Sequence, residues 1–449
     1  MRSRSIICSS AVGLAVLLTT PTRLAAQSAG YTVTDLGPVG NSFSLANFLN
    51  NHGLVTGSDT VLDGQVPRSH AVLWYKNLFL DLKQITDIRQ PGLLGPNSTA
   101  GPVNDAGQVA VEADTPLPDP NNENFCGFGT GLQCGVFLWN NGKMTQLPNP
   151  LGGTNSGWGA MNSRGEVAGY AENTTRDPEC LVAAPNGTGP QLFDYEAVIW
   201  GPGPGQFRQL NPLPGDSIGI ALGINDAGQS VGISGRCGDT VIPSGTAGPH
   251  AVLWEADGSV HDLGSFGGTS NPSVLAVGNG AFAINNQGQV VGTSAPSGNM
   301  VNQPFMWTKK EGMQHLQLLS GDVVGAGLDI NNRGEVVGAS ISVGGLASGT
   351  PKAVVWHEGA DGGVTDLNMF LAANSPFVAL LTAFGINDAG EIAGLGVTST
   401  GDAHAFLATP TRGEGGESAE PGTQTVHPSM ALPENVRRLI GGRLTIRMR

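Results

Sequence analysis

Few residues of this 449-residue chain are spaced to do chemistry. Gly215-Asp216-Ser217-Ile218-Gly219 matches the Gly-x-Ser-x-Gly nucleophile elbow, which needs a strand before the serine and a helix after it. Here the string leads into a strand-like run, Ile220-Ala221-Leu222-Gly223-Ile224, and 68 glycines make a chance match unsurprising, so Ser217 is read as a loop residue. His70, His250 and His404 stand at equivalent places in separate copies of a repeat, with no His-x-x-x-His spacing and no nearby acid set for a metal. Strand-edge hydrogen bonding is their expected role. Gly127-Phe128-Gly129-Thr130-Gly131 lacks the lysine and flanking helix of a phosphate loop. No catalytic residue, metal or cofactor is assigned.

The carboxylates are more suggestive. Asp114, Asp119 and Glu123 share one long stretch, and Asp177 and Glu179 the next. Oxygen ligands at such spacing suit calcium, but no EF-hand or comparable loop is present, and solvated surface is the expected setting. Asp119, Asp177 and Trp158 are the candidate ligand-binding residues.

Export is expected from the first residues. Arg2 and Arg4 precede a short apolar run from Ile6 to Leu18, and Leu24-Ala25-Ala26 offers a small-residue cleavage site before Gln27. That is the layout of a secretory signal peptide over residues 1–26, with an apolar run too short to span a bilayer. No later stretch is long and apolar enough to cross a membrane. Loss of the leader removes Cys8 and leaves Cys126, Cys134, Cys180 and Cys237, an even number for an oxidising compartment. Cys126 and Cys134 share a loop and are expected to pair. Cys180 and Cys237 lie in equivalent loops of neighbouring repeats and are expected to do likewise. The mature chain carries 19 basic and 36 acidic residues, net −17, which disfavours a nucleic-acid partner.

What must position these residues is a repeat. Asn-x-x-Gly recurs seven times, beginning at Asn50, Asn104, Asn162, Asn225, Asn285, Asn331 and Asn387, with a period of about 56. Each copy reads as four strands, a to d. The Asn-x-x-Gly string supplies a type I turn closed by a left-handed glycine between a and b. Strand c resembles His250-Ala251-Val252-Leu253-Trp254, and strand d resembles Val260-His261-Asp262-Leu263-Gly264. Six tryptophans (Trp74, Trp139, Trp200, Trp254, Trp307 and Trp356) close strand c in successive copies, which suits packing between adjacent sheets. Four residues before each turn asparagine stands a small residue, except for Trp158, which is placed to block or line a central channel.

The ends of the pattern imply a ring. The seventh copy stops after strand c, His404-Ala405-Phe406-Leu407, while the mature N-terminus opens with an orphan strand d, Tyr31 to Gly37. Pairing the two removes both exposed edges. The expected fold is therefore all-β: a seven-bladed β-propeller of four-stranded antiparallel blades over residues 27–409, closed by the N-terminal strand. Residues 410–449 form a polar linker with a basic end.

Ile-Asn-x-x-Gly-x-Val-Val-Gly, then His-Ala-Phe-Leu-Trp, then Asp-Leu-Gly, resembles the bacterial extracellular repeats named HAF, over roughly residues 31 to 408. Copies two, three, five and six depart at the histidine (Gly135, Glu196, Gln303, Lys352), so that side chain is not a required chemical group. The resemblance implies an extracellular repeat protein and carries no activity.

Loop length then points to a face. Strand alternation puts the short a–b turns on one side and the b–c loops on the other. The b–c loops of copies two, three and four are long and hold all four mature cysteines. The expected function is a monomeric, secreted, non-catalytic scaffold binding an extracellular protein or glycan through loops 112–134, 170–195 and 233–249. The alternative is a carbohydrate-active hydrolase or lyase using carboxylates of those loops.

Overall fold

The computed structural model describes residues 30–38, 43–76, 78–181, 191–237, 250–268, 278–297, 302–342, 351–357 and 362–411. The leader, most of loop 233–249 and the C-terminal segment beyond Thr411 lie outside the described residues. Seven four-stranded antiparallel sheets form a seven-bladed β-propeller. In blade 3, for example, strands a to d are Ser156–Met161, Val167–Arg176, Phe193–Trp200 and Phe207–Leu210. Blade 7 consists of Phe377–Ile386, Ile392–Thr398, Ala403–Thr411 and, as its outermost strand, Gly30–Gly37 from the other end of the chain. Gly30 stands opposite Thr411, so both ends of the ring leave on the face of the a–b turns.

The repeated asparagine is the ring's fastener. In each turn the glycine takes a left-handed φ between 75° and 82°, which only a residue without Cβ adopts at little cost. The asparagine Oδ1 accepts backbone N–H groups inside its own turn, as from Ala227 and Gln229 onto Asn225. Its Nδ2 donates to the backbone carbonyl of the next blade's asparagine: Asn50 to Asn104, Asn162 to Asn225, Asn225 to Asn285, Asn285 to Asn331, Asn331 to Asn387 and Asn387 to Asn50. Among the described residues the step from Asn104 to Asn162 has no such bond.

The strand-c tryptophans bind blade to blade. Trp200, Trp254 and Trp356 are buried, and each indole N–H donates to a carbonyl just beyond strand d of the preceding blade, at Pro148, Asn211 and Gln317. The strand-c histidines pair within a blade: His70 with Asp81 at 2.7 Å, His250 with Asp262 at 3.2 Å and His404 with Asp35 at 3.0 Å. The partner is the Asp of an Asp-Leu pair on strand d, followed by Gly in blades 4 and 7 and by Lys83 in blade 1. In blade 3, where Glu196 replaces the histidine, Gln209 stands at the aspartate's register, which avoids two facing carboxylates.

Every strand a carries a β-bulge three or so residues before its turn. A bulge re-aims its extra residue. In blades 4 to 7 that residue is Leu222, Phe282, Leu328 or Phe384, and these four, from four different blades, are buried in one apolar cluster. They can meet only at the ring axis, so the channel is filled there. Blades 2 and 3 bulge instead at Gly101-Pro102 and Gly159, which bring no large side chain. Helix α1 (Leu82–Arg89) covers part of the outer rim, and Gln90 behind it takes a strand's place, bonding both N–H and C=O of Met144 on the edge of blade 2.

Candidate functional site

Trp158 occupies the space that blades 2 and 3 leave open. Its indole lies on Gly101, where a Cβ would come within 2.5 Å of the ring, and meets Phe48 edge-on at 5.6 Å. Towards the turn face a cavity of about 180 Å³ remains, lined by Phe48, Trp158, Leu222, Phe282, Leu328 and Asp329 among others. The Asp329 carboxylate accepts the backbone N–H groups of Ile330 and Ile386, both at 2.9 Å. Trp158 thus lines the channel, as its exceptional size led us to expect, and its surroundings are those of a packing residue.

On the opposite face the described parts of the long loops are linked to one another. Cys126–Cys134 closes the loop of blade 2, and Cys180–Cys237 joins the loops of blades 3 and 4, with Cα separations of 5.3 and 4.9 Å. Both expected pairings are present. Phe125 packs against Tyr170 and Tyr195, with centroids 5.5 and 6.3 Å away. That trio and both disulfides join the same apolar cluster as the axial residues. The sulfurs near Glu112 and Asp194 are spent in disulfides and are unavailable to a metal.

Three of the acidic residues are not where solvated carboxylates would be, whereas Glu179 is exposed as expected. Asp114, Asp119 and Glu123 are 1%, 6% and 0% exposed, which corrects the expectation of solvated surface. Asp119 organises its loop: Oδ1 accepts the N–H groups of Asn121 and Glu123, while Oδ2 accepts from Thr154 Oγ1 and Asn155 Nδ2 at 3.1 Å. The same Thr154 and Asn155 side chains reach Glu172 Oε2 at 3.2 Å, so they bridge the loop of blade 2 to strand b of blade 3. Glu172 also accepts from the Thr154 N–H and from Gln191 Nε2. Glu123 Oε1 accepts the Leu192 N–H at 2.6 Å, and its Oε2 has no ordinary donor among the described residues. The Glu123 and Glu172 carboxyl groups lie within reach of one another. Burial, reinforced by the Glu172 charge, pushes the Glu123 carboxyl up to about 8, and burial raises Glu172 as well.

Asp177 lies apart from this network. Its Oδ1 accepts the Glu179 N–H and its Oδ2 the Ser217 hydroxyl at 3.3 Å. Burial and the neighbouring Asp177 charge push Asp194 up to about 7. Ser217 opens into strand a of blade 4, Ile218–Ile224, so the elbow geometry is missing there, as expected. Neither Asp119 nor Asp177 is bonded to Trp158 among the described residues: the three candidates occupy three different environments.

Glu172, Thr154 and Asn155 escaped the sequence reading, although a signal existed. Asn-Ser opens strand a at Asn97-Ser98 and Asn155-Ser156, and each asparagine amide bonds a strand-b acid at the same register, Asp114 or Glu172.

Neither a protein-family profile nor a curated protein sequence matches the chain. Solved structures similar in fold include TolB from Acinetobacter baumannii, at 12% identity over 80% of this chain and 79% of that one, TM-score 0.38. A puromycin hydrolase S511A mutant is similar at 11% identity over 79% of this chain but 50% of its own, TM-score 0.46. A protein of unknown function from Dyadobacter fermentans is similar at 10% identity over 84% and 98%, TM-score 0.36. At such identities the likeness is one of fold.

Proposed function

We propose that this is a secreted HAF-type repeat protein whose propeller is a non-catalytic scaffold, and that it binds an extracellular partner through the b–c loop face. The observation that carries this reading is the linkage of three neighbouring loops through their described parts. Cys180–Cys237 ties blade 3 to blade 4, and the Thr154–Asn155 bridge ties blade 2 to blade 3. Segments held in place before association lose little freedom on binding, so the described part of this face suits recognition. The ring ends leave on the other side, which would free this face from any attachment through the termini.

Hydrolysis of a glycan needs two carboxylates separated by room for a sugar bond and water. Glu123 and Glu172 interact with one another inside the protein, at 0% and 1% exposure, and the channel cavity offers Asp329 with both oxygens bonded to backbone. The aromatic trio is buried too, whereas Leu62, Val66 and Leu117 project from hairpins of blades 1 and 2. Exposed aliphatic side chains favour a protein partner over a sugar, which stacks on aromatic rings.

The test is crosslinked capture from the native extracellular milieu, beside a glycan panel, comparing the wild type with a Leu62→Asp/Val66→Asp/Leu117→Asp variant and an Ile88→Asp control on the outer rim. A specific protein retained by wild type and control but lost by the triple variant supports the reading. Equal capture by all three, or binding only to a glycan, overturns it.

A further inference from the structure

We propose that Glu123 and Glu172 form a proton-operated latch, which holds the loops of blades 2 and 3 together in mild acid and releases them as pH rises. The geometry is that of two carboxyl groups sharing one proton. Among the described residues Glu123 Oε2 is buried without an N–H or hydroxyl donor, and the Glu123 and Glu172 carboxyl groups lie within reach of one another, joined through the shared Asp119, Thr154 and Asn155 network. An unsatisfied buried oxygen is costly, and a proton on Glu123 converts it into a donor to Glu172. The remaining oxygens are already served: Glu123 Oε1 by Leu192, Glu172 Oε1 by Gln191, and Glu172 Oε2 by Thr154 and Asn155.

Among the described residues nothing paired with the cluster supplies positive charge. From the loop of blade 2 the pair meets Asp119, which adds a third negative group. From strand b of blade 3 comes Glu172 itself. Before strand c come Gln191 and Leu192, and before strand a Thr154 and Asn155, all neutral. Among the described residues no Lys, Arg or His pairs with any of the three. Like charges in contact cannot all ionise inside a protein. A cation could replace the proton, but the amide and hydroxyl donors already turned into the cluster favour the proton.

The sign follows from linkage. Glu123 ionises near 4.5 when its loop opens to water and near 8 when closed. Between those values the closed form holds a proton that the open form releases, so opening grows more favourable by about tenfold per pH unit. Below this window the latch is at full strength; above it, the strength is spent.

The experiment is hydrogen exchange of the full chain in chelator, from pH 5 to pH 8.5 and corrected for intrinsic rate. It is read in peptides covering 119–134 and 152–158. Protection in the wild type is expected to fall about tenfold per pH unit. Glu123→Gln mimics the protonated acid and should keep the loops protected throughout. Glu172→Gln removes the opposing charge and should shrink the total loss, a response that a purely packing role for Glu123 would not produce. A flat wild-type profile, a fall retained by Glu123→Gln, or full recovery at pH 8.5 on adding millimolar calcium would each overturn the proton latch. The readout does not depend on what the loop face binds.

Discussion

The side-chain amide of Asn387, in the seventh blade, donates a 3.0 Å hydrogen bond to the backbone carbonyl of Asn50 in the first. Residues 337 positions apart thereby repeat the contact that links other adjacent turns. Ring closure uses the same fastener as the rest of the ring.

That relationship gives a graded test. Asn387 is buried and also donates to Glu391 and accepts from Ala389 and Glu391, so Asn387→Ala should cost about 2–4 kcal/mol by loss of several buried bonds. The Asn104 side chain bonds within its own turn only, through Gln108, and Asn104→Ala should cost about 1 kcal/mol less. Urea denaturation of the two variants makes the comparison. Equal losses would mean that the inter-blade bond contributes nothing.

Closure by the N-terminal strand predicts unequal effects of trimming. Removing 31–37 takes away the partner of Ala403–Thr411 and the carboxylate that holds His404, leaving an open edge. The ring should then fail to melt cooperatively. Removing 412–449 should leave melting almost unchanged. Calorimetry on both deletions decides, and greater damage from the second would refute this account of closure.

The two disulfides should differ in worth. They close segments of 8 and 57 residues, and the chain-entropy argument gives the longer bridge an advantage of about 1.5–2 kcal/mol. Cys180→Ser/Cys237→Ser should therefore lower the denaturation midpoint more than Cys126→Ser/Cys134→Ser.

Burial separates the candidate site residues. Asp119→Ala leaves the Asn121 and Glu123 N–H groups without their acceptor and Thr154 and Asn155 with Glu172 alone, and should cost about 2–4 kcal/mol. Trp158→Ala opens a void at the axis and should cost about 3 kcal/mol. Asp177→Ala should cost less than about 1 kcal/mol, because it also relieves the like charge on Asp194. Denaturant titration at pH 7 orders the three.

Stability should fall as pH rises on the acidic side of neutrality. The Asp194 carboxyl titrates near 3.8 in the unfolded chain and near 7 when folded, so its favourable protonated form is fully present below about 4 and lost by about 7. Glu335 acts oppositely. The His357 imidazole, 3.7 Å from the carboxylate, leads the causes that hold it down near 2, so its contribution is present above about 4.5 and disappears as pH falls towards 2. Denaturation midpoints at pH 5 and pH 8 should favour pH 5 in the wild type, and Asp194→Asn should reduce that difference.

The sequence by itself determined the architecture, because local chemistry repeated seven times leaves few alternatives. Asn-x-x-Gly demands a tight turn, the strand-c tryptophan demands a neighbouring sheet to bury it, and an orphan strand d at one end with a missing one at the other demands a ring. Both cysteine pairings were legible for the same reason, since repeat position stands in for spatial position. Depth was not legible. Whether Asp119 is solvated or enclosed depends on how the loop of blade 2 folds against Thr154 and Asn155 of the next blade, a contact outside the period of the repeat. Likewise Trp158 was visible as an exception, but only the tertiary structure shows that it fills space beside Gly101 and Gly159. Glu123 and Glu172 are 49 residues apart and share no motif. Their proximity, and the proton it calls for, arise from burial, which acts through the assembled ring and leaves no mark on the order of residues.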